Sequence, residues 1–248
     1  SLILSLVMVL TLVACSSSSS TSSSTSSSES GSTQKLIMCT NAEFPPYEYK
    51  EGGEFKGIDI EAAKLIGEKL GYDVEILDIA FDSLIPTVNS GKADFAMAGM
   101  TVTQDRLENV DFSETYQTAV QAVIVLANSS IEDVGDLYDD KKIGVQLGTT
   151  GDIYCTDDFG DENISRYPKI VDGIQAMKTG SIDACVVDDQ VAKAIVAQDG
   201  GSFKILESPY ANEDYAIAVK KGNKELLDKI NSVISEMKSS GELDAIEI

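Results

Sequence analysis

From Lys35 onward, short apolar runs alternate with longer amphipathic stretches, and that alternation predicts an α/β fold. Leu36–Thr40 reads as a strand. Asp59 opens a helix that carries Ile60, Ala63 and Ile66 on one face, with Gly71 just past its end. Val74–Leu77 gives a second strand. Asp82 or Ser83 then caps a short helix bearing Leu84, Ile85 and Val88, whose first turn alone can hold Pro86, a residue with no N–H. Gly91 ends that helix, and Asp94–Met100 follows as an apolar strand.

This last unit occurs twice. Ile85, five residues and Gly91-Lys92-Ala93-Asp94 match Ile174, five residues and Gly180-Ser181-Ile182-Asp183, each followed by an apolar strand. Two ordinary helix–strand units falling into step is the alternative; a true repeat predicts two similarly built lobes. Ligands of open α/β sheets sit beyond the carboxyl ends of strands. That rule directs attention to Gly99-Met100-Thr101 in the first unit and Asp188-Asp189 in the second.

The first thirty-odd residues break the pattern. Ser1–Ala14 is a largely apolar run yet short of the roughly 20 residues a membrane span needs, so it reads as the hydrophobic part of a secretory signal that starts upstream. Leu12-Val13-Ala14-Cys15 resembles the bacterial lipobox, whose cysteine is lipidated and becomes the mature N-terminus. The segment from Ser16 to Gln34 is mostly serine and threonine, cannot bury apolar surface, and reads as a flexible tether. Two acyl chains on Cys15 would satisfy the two-signal requirement for stable anchoring. The expectation is residues 1–14 as signal, 15–34 as lipidated cysteine and tether, and a globular body held outside the cytoplasmic membrane.

Composition narrows the chemistry. A net charge of −22 argues against nucleic acid, whose phosphates would repel the chain. The chain has no histidine, which removes histidine acid–base chemistry and histidine metal ligands. Beyond Cys15 there remain Cys39, Cys155 and Cys185, an odd number with no C-x-x-C pair. Buried free thiols are expected, and a Cys155–Cys185 bridge stays open. Asp157, Asp158, Asp161 and Glu162 lack the glycine and ligand spacing of a calcium hand and read as a solvated acidic loop. Neither a metal nor a cofactor is called for.

Against that background three groups stand out. Only Arg106 and Arg166 are arginines among nineteen basic residues. A chain that covers itself with lysine gains from arginine where a planar, bidentate fork is needed. Arg106 follows a buried strand, in a turn capped by Thr101 or Thr103; an ion pair with Asp105 or Glu108 is the plain alternative. Arg166, beside Tyr167-Pro168, reads as a surface ion pair. Gly148-Thr149-Thr150-Gly151 lies between the strand Ile143–Leu147 and a helix, where free N–H groups and a positive helix terminus suit a carboxylate. It lacks the lysine and spacing of a phosphate loop, and simple capping by a threonine is the alternative. Asp188 closes the second repeated strand and could accept an ammonium or cap the helix from Gln190 to Ala197. Arginine fork, helix N-terminus and carboxylate match the two charged ends of an amino acid. Phe44, Tyr47 and Phe81 offer flat apolar surfaces near strand exits, or pack in the core.

The stretches TNAEFPPYEY, GIDIEAAKLIGEKLGY, FDSLIPTVNSGKADFAMAGMTVTQDR, VDFSETY, IGVQLGTTGD, DGIQAMKTGSIDACVVDD and YAIAVKKGN together resemble the polar-amino-acid solute-binding proteins of ATP-binding-cassette importers. They span most of the chain from Leu36 to Leu243. The resemblance implies a two-lobe, periplasmic-binding-protein-like α/β fold with a ligand cleft between the lobes. The two crossings would lie near Tyr116–Val120 and Asn212–Ala216. Residues 36–118 with 214–248 would form one lobe and 119–213 the other. It also implies a monomer that takes up a free polar amino acid and hands it to the membrane permease subunits of an importer. By position, Arg106, Thr101 and Thr150 would hold the α-carboxylate, and Asp188 with Gly99 the α-ammonium. Met100 and Thr149 flank these groups, while Asn41, Glu43, Phe44, Phe81 and Gln146 would line the side-chain pocket. Relatives selecting cationic side chains often carry Asp where this chain has Asn41, and usually continue past the final helix, so the C-terminus reads as incomplete. With neutral Asn41 and acidic Glu43, a glutamine-like or basic ligand is expected and an acidic one disfavoured. An enzyme of dehydratase type or a sensory domain on the same fold are the rival readings. No nucleophile–base pair supports the first, and no transmembrane or output segment the second.

Overall fold

The computed structural model describes residues 34–246; the signal, Cys15 and most of the tether lie outside the described residues. The chain begins with β1 (Gln34–Thr40), then a small antiparallel sheet of β2 (Glu43–Phe44), β3 (Glu48–Glu51) and β4 (Glu54–Lys56). Next come α1 (Ile58–Leu70), β5 (Tyr72–Asp78), α2 (Leu84–Asn89), β6 (Phe95–Ala96), α3 (Gln104–Asn109) and β7 (Val110–Phe112). It continues through β8 (Gln117–Leu126), β9 (Ile143–Gln146), α4 (Thr150–Phe159), β10 (Ile164–Tyr167), α5 (Ile170–Lys178), β11 (Ala184–Asp188), α6 (Asp189–Asp199) and β12 (Phe203–Ile205). Finally β13 (Ala211–Tyr215) leads back to β14 (Ala218–Lys220), α7 (Lys224–Ser240) and α8 (Glu242–Ile246).

Two mixed sheets result. One runs β5-β1-β6-β14-β7 and the other β10-β9-β11-β8-β12, with β13 also on β8. Outgoing β8 and returning β13 pair antiparallel from Gln117↔Tyr215 to Gln121↔Ala211, so a two-stranded ribbon joins the lobes. Met38, Phe95 and Ile60 pack within the first lobe, and Val123, Val145 and Val186 within the second, all essentially inaccessible to water.

The repeat reaches beyond spacing. Both helices stop at a glycine with φ 74°, Gly91 and Gly180. The aspartate three residues on then accepts a backbone N–H of a neighbouring segment: Asp94 from Ile37 in β1 at 2.7 Å, Asp183 from Lys142, just before β9, at 2.8 Å. Each carboxylate thereby fixes where its following strand enters the sheet.

Several local expectations change. Gln34 belongs to β1, paired with Tyr72, and not to the tether. The strand expected over 94–100 keeps a ladder only at Phe95–Ala96. Beyond it Gly99, at φ 50°, turns the chain out toward the cleft, a conformation that favours glycine. No side chain caps α2, because Phe81–Ser83 already form a 3-10 turn that runs into it. Cys39, Cys155 and Cys185 are all free and buried, with no bridge between the last two; burial pushes each thiol up to about 12.

Candidate functional site

One cavity between the lobes is lined by Asn41, Phe44, Phe81, Gly99, Thr101, Arg106, Gln146, Thr149, Thr150 and Asp188, together with Glu48 and Ala98. Ten of the twelve positions picked from the sequence therefore converge. The two that do not are Glu43 and Met100.

Arg106 is placed by the first turn of α3. Thr103 caps that helix by accepting the Arg106 N–H at 3.2 Å. The side chain is buried, lies over the Phe81 ring at 5.4 Å, and makes no ion pair with Asp105 or Glu108 among the described residues. Its Nη1 donates to the Thr101 carbonyl at 2.8 Å, and its Nη2 crosses the cleft to the Gly148 carbonyl at 3.1 Å. Burial pulls its pKa down, and the negative charge of Glu213 pushes it back.

The facing loop belongs to the second lobe. Gly148 takes φ 79° between β9 and α4, and Thr149 caps α4 by accepting the Asp152 N–H at 3.3 Å. Capping is therefore the part Thr149 plays. The hydroxyl of Thr150 donates instead to Glu213 at 2.8 Å, and that of Thr101 donates to the same carboxylate. The N–H of Thr150, the first residue of α4, has no carbonyl one turn back within the helix to accept it, and Thr150 stands at the cavity wall.

Asp188 ends β11 at the N-cap position of α6, but its side chain makes no cap bond. It accepts from Gln121 Nε2 at 2.9 Å and from the Tyr215 hydroxyl. Burial raises its pKa to about 7, with the neighbouring charge of Glu213 adding to the rise and the Tyr215 and Gln121 donors opposing it. On the opposite wall Gln146 donates to Asn41 at 2.8 Å, a second bond across the cleft. Lys169 pairs with Glu43 as a third, at the rim. The lobes stand closed on each other.

Alternation along short strands accounts for both departures. In the β2–β3 hairpin Phe44 is paired directly with Glu48, so these two share a face while Glu43 takes the other. Phe44 faces the cleft and brings Glu48 with it. Met100, between Gly99 and Thr101, points into the core with Leu84 and Val110. Glu48 is buried beside Asp59, and desolvation followed by the charge of Asp59 raises its pKa well above the usual range. Asp59, raised by burial to about 6, accepts from the Gly99 N–H and the Tyr116 hydroxyl, both at 2.8 Å. The sequence reading also passed over Gln121, Glu213 and Tyr215, which contact the lining from the joining ribbon. Two carboxylates and one guanidinium line the cavity, and no lysine does.

A cleft between two α/β lobes, joined by a ribbon and lined by buried charges of both signs, is the architecture of a solute-binding protein. Residues 36–247 match the bacterial extracellular solute-binding proteins, family 3, and the chain belongs to that family. It is 36% identical to the arginine-binding extracellular protein ArtP of Bacillus subtilis, covering 86% of this chain and 85% of the relative. An ancestral arginine-binding protein bound to glutamine superposes with a TM-score of 0.81 at 41% identity, over 86% of this chain and 95% of the other. An ancestral arginine-binding protein bound to arginine gives 0.80 at 42% identity, over 86% of this chain and 96% of the other.

Proposed function

We propose that this protein captures a free polar amino acid, glutamine-like or basic, outside the cell and delivers it to the permease subunits of an ATP-binding-cassette importer. The observation that carries the reading is the convergence of buried Arg106 and buried Asp188, one from each lobe, on one cavity. Arg106 and the N–H groups at Thr101 and Thr150 take the α-carboxylate, and Asp188 takes the α-ammonium. Phe44 and Phe81 flank the side chain, while Asn41 and Gln146 offer amide contacts. The acidic group assigned to Glu43 is supplied by Glu48, which lines the cavity where Glu43 does not. Residues 36–118 with 214–248 form one moving body and 119–213 the other, hinged at the ribbon. Ligand that touches both lobes favours the closed state, since it binds that state better than the open one.

Thermal-shift titration with the twenty amino acids tests this. Arginine, glutamine or a close analogue is expected to raise the unfolding temperature and to compact the protein in small-angle scattering, with glutamate inert. Tight glutamate binding that survives Glu48→Gln would mean the pocket has been misassigned.

ArtP of Bacillus subtilis is an extracellular protein, which supports an extracytoplasmic location for this one. The anchoring rests on Leu12-Val13-Ala14-Cys15 alone. Cys15→Ser is expected to move the protein from the membrane fraction to the soluble one, as read by fractionation and blotting of a lipoprotein-processing host. An unchanged membrane fraction would defeat it.

A further inference from the structure

The second arginine of this lysine-covered chain does not line the cavity, yet its fork is fully engaged. Arg166 Nε donates to Asp152 Oδ1 at 2.7 Å, Nη2 donates to Thr156 Oγ1 at 2.7 Å, and Nη1 lies 2.8 Å from Asp161 Oδ1. A lysine could supply one point of charge there, but not three planar donors. Asp152 is buried and passes the constraint inward. Its Oδ2 accepts the Gly148 N–H at 3.0 Å, and its own N–H is held by Thr149. The Gly148 carbonyl in turn accepts Arg106 Nη2 at 3.1 Å. Both arginines of the chain thus end on one residue, Arg166 on its N–H through Asp152 and Arg106 on its carbonyl. Gly148 has no side chain with which to fix itself, and its φ of 79° is one that glycine visits freely. Something else must hold it.

We propose that Arg166 is a positioning residue for ligand capture: through Asp152 it fixes Gly148, whose carbonyl Arg106 grips when the cleft closes. An exposed ion pair would contribute little to any function. This one differs because its acidic partner is buried and shared with the loop of the site. The inference rests on the proposed carboxylate role of Arg106.

Arg166→Gln is expected to weaken binding of L-arginine, or of L-glutamine should that be the ligand, about tenfold in calorimetry run well below the unfolding midpoint, the loss typical of one broken link in a hydrogen-bonded network. In an Arg106→Lys background, where the grip is already lost, the same substitution is expected to cost much less. Amide exchange at Gly148, followed by NMR without ligand, is expected to be slow in the wild type and accelerated in Arg166→Gln. Native affinity in a folded Arg166→Gln, or an undiminished loss in the Arg106→Lys background, overturns the proposal. Should Arg166→Gln fail to fold, Asp152→Asn keeps the shape and takes the same measurements. Should the wild type bind neither L-arginine nor L-glutamine, the reading of function is at fault, and Gly148 exchange still decides the link: unaccelerated exchange in the variant overturns it.

Discussion

Arg106→Ala is expected to weaken amino-acid binding by more than roughly a hundredfold, because stripping one partner from a buried charged pair costs about 3–5 kcal/mol. The guanidinium is buried and held within its own lobe by the Thr101 carbonyl, so it is oriented before ligand arrives and little ordering entropy remains to be lost. Its removal takes away the positive charge of the cavity wall and leaves the neighbouring Glu213 and Asp188 carboxyls uncompensated beside an incoming carboxylate. The fold should survive: the Thr103 side chain caps the six-residue α3 through the Arg106 backbone N–H, which alanine keeps, and the lost side chain belongs to no core cluster. Isothermal titration of the variant beside a melting curve checks both halves. Near-native affinity would remove Arg106 from the proposed clamp.

The parts legible in the sequence were those fixed by local rules. Glycine stops, apolar periodicity and the duplicated helix–strand unit each mark positions where one residue type satisfies a local backbone demand. The carboxylates Asp94 and Asp183 each hold a backbone N–H of a neighbouring segment, so the repeat in sequence is a repeat in bonding. Less legible was anything set by pairing between distant segments. Glu43 and Glu48 are chemically equivalent in a linear reading; which one enters the cleft depends on the hairpin register that sets Phe44 opposite Glu48. That register, read with Phe44 toward the ligand, would have selected Glu48. Glu213 had no signal of this kind. In Asn-Glu-Asp-Tyr it looks like a solvated acid, and only the ribbon shows that Glu213 and Tyr215 turn inward while Asn212 and Asp214 face water. Arg166 stood out by rarity, but its use depends on Asp152 lying within reach across a helix turn and a strand.

Asp188→Asn is expected to match that loss of affinity and, unlike Arg106→Ala, to change how binding depends on pH. Burial holds the Asp188 carboxyl at about 7 in the empty site, against 3.8 for an ordinary aspartate. An α-ammonium bound beside it favours the carboxylate and lowers that value, so the complex holds fewer protons than the free protein. Wild-type affinity is therefore full above neutral pH and declines as pH falls through about 7, with proton uptake by Asp188 competing with ligand. Near pH 7 binding releases a fraction of a proton, measurable by calorimetry in buffers of different ionisation heat; Asp188→Asn should release none from this site. Stability moves in the opposite sense. Because the folded value lies above the unfolded one, this group's contribution to stability is fully present below about 4 and is lost as pH rises through about 7. At pH 8 the empty wild type thus carries the cost of a buried charge, and the asparagine variant does not. Its oxygen can still accept from Tyr215, and Gln121 can turn its amide to meet the new N–H groups. The ligand-free variant is accordingly expected to melt above the wild type at pH 8, with the gap narrowing toward pH 4. Near-native affinity with the wild-type proton release intact would show that the ammonium is held elsewhere. A lower melting temperature at pH 8 would mean that the Asp188 carboxylate stabilises the empty cleft, and that its burial is not a cost offset by ligand.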